Sequence, residues 1–242
     1  DIDEARWHTV LNSEGHSYMV QAFGGWKHKF GQRLSMVSGI HTTYFHFNGN
    51  FSIDPRLAWS YELDEKQKVG FAVGVHSKLE SMSIYQGIAI DDNGNDYEPN
   101  KDLDFTKSIH FVASYDRYFN RNLHFKGEVY YQYLYDVPVG LEENSSYSML
   151  NSTAGYVDFA LQNEGFGRNY GLDLTFERYF ENDYYFLISG SVFNSEYKNP
   201  EWDWRKGRVA GEYLFNTLGG KDFKIGKGKP GSRTLTLSMK AT

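Results

Sequence analysis

The chain is 242 residues long, carries a formal net charge of −6 and contains no cysteine. Disulfides and thiolate metal sites are therefore excluded, and the acidic balance argues against nucleic acid as a partner. Aromatic residues make up 17% of the chain, with 19 Tyr and 18 Phe, yet the mean hydropathy is polar at −0.59. No run of about 18 apolar residues exists, so no transmembrane helix is available, although membrane-crossing strands leave a far weaker hydropathy trace. The opening DIDEARWHTV has neither the basic nor the apolar region of a signal peptide, so any targeting segment is expected to have been removed or to lie outside this chain.

Taken in chain order, the sequence predicts about ten strands, comparable in length to the 9–11 residues that a tilted membrane-crossing strand needs. Their cores fall at 18–29, 34–45, 52–63, 68–81, 107–116, 123–135, 168–178, 184–197, 205–215 and 233–241. Period-two alternation is the signal. In the third strand Ile53, Leu57, Trp59 and Tyr61 oppose Asp54, Arg56, Ser60 and Glu62. In the sixth, Leu123, Phe125, Val129, Tyr131, Tyr133 and Tyr135 oppose His124, Lys126, Glu128 and Gln132. In the seventh, Tyr170, Leu172, Leu174 and Phe176 oppose Asn169, Asp173, Thr175 and Glu177; in the last, Leu235, Leu237 and Met239 oppose Thr234, Thr236, Ser238 and Lys240. A helix would put residues i and i+2 on nearly opposite sides, so helical spacing fits none of these.

The connections alternate between short (GQR, DEKQ, YFNRN, YFENDY) and longer, polar ones (FNGN, then residues 86–105, 136–167 and 198–203). That rhythm of short turns and long loops is the mark of an outer-membrane barrel. Rings collect at both strand ends. Phe30, Tyr61, Tyr118, Phe119, Tyr179, Phe180 and Tyr184 lie near the short turns, and Tyr44, Phe45, Tyr85, Tyr133, Tyr135, Phe166, Tyr170 and Tyr197 near the long loops. Two girdles at two membrane–water interfaces would look like this. The polar positions Arg56, Glu62, Lys78, His110, Asp116, His124, Lys126, Glu128, Asp173, Glu177, Arg208 and Glu212 are all expected on the interior side. Mixed charge there implies a wet lumen or a surface packed on a polar plug.

Motifs for chemistry are weak. Gly226-Lys227-Gly228-Lys229-Pro230-Gly231 fits G-x-G-x-x-G, but a dinucleotide site needs that run to open a helix, and here a strand pattern follows. Asp91, Asp92, Asn93, Gly94, Asn95 and Asp96 offer oxygen ligands without the spacing or helical flanks of a calcium loop, so a solvated loop tip is expected. His41, His76, His110 and His124 all fall on polar strand positions and would form a ligand pair only if strands bring them together. No nucleophile elbow occurs. The expectation is therefore no enzyme, no cofactor and no metal.

The segment EVYYQYLYDVPV, and after a long loop NEGFGRNYGLDLTFERYFENDYYFLISGSVFNSEYK, resemble the barrel of TonB-dependent outer-membrane receptors of the Bacteroidetes type. DPRLAWSYELDEKQKVGFAVGVHSKLE and YLFNTLGGKDFKIGK are similar to the same family. The resemblance implies an all-β antiparallel transmembrane barrel of about 22 strands around a plug, of which residues 1–242 would be one part, without the plug and the closing C-terminal strands. It also implies a place in the outer membrane of a Gram-negative cell. The implied function is TonB-coupled import of a scarce nutrient: an iron chelate, vitamin, glycan or peptide. The implied partners are outer-membrane lipid, the TonB complex (through a plug segment not in this chain), the extracellular nutrient and a surface lipoprotein, with no nucleic acid. Loops 86–105 and 136–167 are the expected ligand contacts on the same ground. Two other readings stay open at this point. A self-contained barrel of about ten strands, enzyme or adhesin-like binder, would pair its first and last strands. A soluble β-sandwich binding module would bury its apolar faces against each other.

Overall fold

A computed structural model of the chain describes residues 10–11, 14–91, 93–143, 145–208, 210–225 and 233–242. Ten long strands form one antiparallel sheet: β1 (Met19–Phe30), β2 (Leu34–Phe45), β3 (Phe51–Asp64), β4 (Gln67–Lys78), β7 (Thr106–Asn120), β8 (Leu123–Gly140), β9 (Leu161–Glu181), β10 (Tyr184–Lys198), β12 (Tyr213–Ile225) and β13 (Arg233–Ala241). They lie side by side in that order. The two-residue strand β11 (Arg205–Lys206) adds to β10, and β5 (Ala89–Ile90) with β6 (Asp96–Tyr97) makes a separate hairpin. A single helical turn, α1 (Met82–Tyr85), sits in the connection after β4. Among the described residues β1 and β13 do not pair with each other, so the sheet is open.

Local chemistry explains the connections at one rim. Asn182 and Asp183 both take positive φ, 55° and 66°, which is the tight two-residue turn that Asn and Asp tolerate best. Gly31 supplies the same left-handed step, φ 75°, between β1 and β2. Pro55 lies one residue beyond the last β3–β4 pair, Arg56 with Gly74, where a residue without an N–H is tolerated.

Directly paired residues share a face, so the register carries one face across the sheet. Arg56 pairs with Gly74, Gly74 with His110, His110 with Gln132, Gln132 with Asn169, and Asn169 with Ser195. The same parity holds Glu62, Lys78, Asp116, His124, Lys126, Glu128, Asp173 and Glu177 on this polar face, as the alternation predicts. The opposite face is apolar and bare. Val129, Leu172, Val192 and Tyr213 run across it in register, and Val192, Ile53 and Leu237 are 62%, 55% and 56% exposed. A soluble sandwich would cover such a face.

The buried core lies not between the faces but at the long-loop rim. Phe45, Ile84, Tyr85, Leu103, Phe105, Val157 and Leu161 pack together, with Phe47, Leu79, Met82, Tyr147, Met149 and Phe159 around them.

Four expectations are corrected. The ninth long strand is Tyr213–Ile225, not 205–215; only Arg205–Lys206 of that stretch pairs, as β11. Consequently Arg208 and Glu212 are not on the polar face. Both lie in the loop between β11 and β12: Arg208 binds Asn151 and Thr153 of the β8–β9 connection, and Glu212 pairs with Lys206 of β11 at 2.7 Å. The loop expected at 136–167 is shorter, because β8 runs on to Gly140 and β9 begins at Leu161. The girdle loses members too: Phe45 and Tyr85 belong to the loop core, Tyr197 is buried, and Tyr118 turns to the polar face and stacks on His124.

Candidate functional site

Three polar clusters cover the polar face. On β2–β4 the buried Asp54 takes His41 Nδ1 at 3.2 Å and the Ser77 hydroxyl at 2.6 Å. Mid-sheet, the His76 and His110 rings lie 4.4 Å apart, and His110 Nε2 meets Ser108 Oγ at 2.9 Å and the Gln132 amide at 2.6 Å. Asn169 donates onward to Gln132 at 2.7 Å. Near the short-turn rim His124 sits between two carboxylates, Nδ1 to Glu177 at 2.8 Å and Nε2 to Asp116 at 3.1 Å, while Lys126 pairs with Glu128 at 2.7 Å. The strands thus bring His76 and His110 together but leave His41 and His124 in separate clusters. No group of three or more ligating side chains with metal-site geometry occurs among the described residues. Most of these groups hydrogen-bond one another, which suits contact with water, a polar solute or a polar protein surface.

The long-loop rim is a folded cap. Asn100 is fully buried: its Nδ2 donates to Phe159 O at 2.9 Å and its Oδ1 accepts Leu161 N–H at 2.8 Å. Asn48 and Asn50 both donate to Leu103 O, at 2.9 and 3.0 Å. Asn163 accepts the Asp104 N–H at 2.9 Å and donates to Asp136 O at 2.8 Å. Ser83 binds the Gly155 carbonyl. A Cβ on Gly87 would stand 2.1 Å from Val157 O, so only glycine lets these two loops approach. Burial pushes the Tyr85 phenol up to about 12.

Beside the cap lies a cavity of about 650 Å³ between the segment preceding β1 and the connection after β4, lined in part by Tyr18, Phe45, Phe47, Glu80 and Met82. Of the loops expected to meet ligand, 86–105 and the former 136–167 supply Leu103, Phe105, Val157 and Leu161 to the cap core. The cavity wall on the other side, Glu14 to Ser17, carries no strand or motif signal and was not foreseeable from the sequence.

The acidic motif resolves as a turn. Asp91 accepts the Asn95 and Asn93 N–H groups at 2.8 and 2.9 Å, which holds its carboxyl below the usual carboxylate range. It closes the β5–β6 hairpin, with Asp92 outside the described residues. The run Gly226–Gly231 also lies outside them, between strands β12 and β13.

Three solved structures match this arrangement. The alcaligin outer-membrane receptor FauA of Bordetella pertussis superposes with a TM-score of 0.58 at 11% identity, over 87% of this chain and 35% of that one. The ferric yersiniabactin uptake receptor FyuA of Yersinia pestis gives 0.61 at 14%, over 93% and 34%. The chain shares its fold with outer-membrane receptors. The siderophore receptor PirA of Pseudomonas aeruginosa gives 0.57 at 10%, over 93% and 40%. The chain spans between a third and two fifths of the length of these receptors. No family model and no curated relative matches the sequence.

Proposed function

We propose that this chain is a section of the wall of a TonB-dependent outer-membrane receptor that imports a scarce nutrient and performs no catalysis of its own. One observation carries the reading: a two-faced antiparallel sheet with one short-turn rim and one interlocked long-loop rim, on a fold shared with uptake receptors. An exposed apolar face suits lipid, and a hydrogen-bonded polar face suits a wet or plugged lumen. Closing the sheet into a barrel of about 22 strands requires wall from elsewhere in the receptor, as do the plug and the TonB-contacting segment. The names of the three solved receptors favour a ferric siderophore over a vitamin, glycan or peptide as cargo. Among the described residues β1 and β13 do not pair with each other, which speaks against a self-contained ten-stranded barrel, and the bare apolar face speaks against a soluble sandwich.

The test is fractionation and uptake in the native cell. The gene product should sit in the outer-membrane fraction, and deleting its gene should abolish accumulation of one labelled ferric chelate, as should deleting the TonB system. A product found in the soluble fraction, or a product whose loss leaves accumulation of every tested nutrient intact, refutes the proposal.

A further inference from the structure

The apolar face carries one group of side chains that a plain lipid wall does not need. At the long-loop rim, Arg168 of β9 and Lys198 of β10 lie over the same ring: Arg168 Cζ is 4.3 Å and Lys198 Nζ 5.3 Å from the Trp204 centroid. Lys198 also lies 5.3 Å from the Phe166 ring, its partner in register. Phe166 in turn lies tilted against Tyr133 at 6.2 Å, and Tyr133 stacks with Tyr135. Arg168 pairs in register with Tyr133 on one side and Glu196 on the other, and Glu196 holds its Nε. By parity all these strand residues belong to the apolar face. Directly below them in register come Tyr131 and Tyr170, then Val129, Leu172 and Val192.

We infer that Arg168, Lys198 and Trp204 form a seat for the phosphate of an anionic membrane-lipid headgroup on the long-loop side. The inference rests on the outer-membrane reading above. Its physical basis is the arrangement at one edge: the two cations share register levels with the rings of Tyr133 and Phe166, and Tyr131, Tyr170 and then the apolar band lie below them. The rings fix the cations, so little side-chain entropy remains to be lost when an anion arrives. Glu196 offsets one of the two charges and aims the guanidinium. The occupant must combine a negative group with apolar chains, because the cations border the apolar band directly. Among the described residues Trp204 is the only ring with two cations over it; at the short-turn rim Arg117 over Phe119 and Arg178 over Tyr184 are single contacts.

The test uses the full-length protein purified in mild detergent, with retained lipid counted by native mass spectrometry. The probes are bis-phosphorylated lipid A, a phosphate-free galactolipid, and inorganic phosphate as competitor. Wild type should retain lipid A and not galactolipid. Lys198→Gln and Trp204→Leu should each lower retention about fivefold, Lys198→Arg should restore it, and Arg117→Gln at the opposite rim should leave it unchanged. Heat-modifiable gel mobility reports whether each variant is folded. Equal retention of the two lipids by wild type overturns the inference without recourse to any variant. So does wild-type retention in a folded Lys198→Gln protein, or displacement of lipid A by millimolar inorganic phosphate. Recovery of the wild-type protein from the soluble fraction would instead sink the outer-membrane reading itself.

Discussion

Leu174→Arg tests the assignment of faces. Leu174 lies on the apolar face of β9 and is 42% exposed. Its register partners are Gly127 on β8 and Gly190 on β10, so neither neighbouring strand offers a side chain to cover or pair with a new charge. Six residues separate it from Phe180 at the short-turn rim. At about 3.3 Å per residue and a tilt of about 45°, that places it about 14 Å above that rim, near the middle of an apolar band about 25 Å tall. An arginine there should cost about 2–4 kcal/mol. Thr175→Arg, one residue on, points to the polar face between Lys126 and Ser189 and should cost no more than about 1 kcal/mol. The assay is reversible unfolding of the full-length receptor from lipid vesicles by guanidinium, followed by tryptophan fluorescence. Equal losses at the two positions, or a larger loss at Thr175, would refute the facing.

The cap supplies the other predictions. Asn100→Ala strands the Phe159 carbonyl and the Leu161 N–H in a buried site and should destabilise the cap by about 2–4 kcal/mol; hydrogen exchange should speed up selectively in residues 97–105 and 157–161. Gly87→Ala forces the approach to Val157 apart, so limited proteolysis should cut both loops, while an uncut protein would show that the backbone yields without opening. Tyr85 gives a pH signature. Its phenol ionises at about 12 when folded and at about 10 when unfolded, so the unfolded chain loses the proton first. The stability this contributes is complete below pH 10 and declines as pH rises from 10 towards 12. Tyr85→Phe should remove that decline from cap-unfolding curves measured by hydrogen exchange.

Facing was legible in the sequence because a strand's side-chain period is two, and a misassigned end does not alter parity. Of the polar positions predicted on the interior side, those that fall in the long strands kept their side, whereas Arg208 and Glu212 fell outside a strand. Strand ends were less legible where tertiary contacts override local chemistry. The ninth strand was expected to end at 215, yet Gly219 and Gly220 sit inside β12 opposite Phe186 and Tyr185, and Tyr185's ring occupies the space a Cβ on Gly220 would need. Asp136 to Gly140 were expected to open a long polar loop, yet Val137 and Val139 are fully buried and carry β8 onward. The girdle was half legible. Rings near strand ends are visible in one dimension, but whether a ring faces outward, as Phe180 does, or inward onto His124, as Tyr118 does, depends on the turn. The cap was not legible, because its contacts join residues 53 to 61 positions apart with no period to announce them.

In the receptor proposed above, the interlocking of the long loops bears on how the cell surface would be recognised by others. Residues 45–50, 79–105 and 141–161 share one apolar core and exchange backbone hydrogen bonds through asparagine. An antibody or phage tail protein would meet them as a single rigid relief composed of distant stretches of chain. Synthetic peptides copied from any one loop would lack that relief, and sera raised against them would bind denatured protein in preference to intact cells.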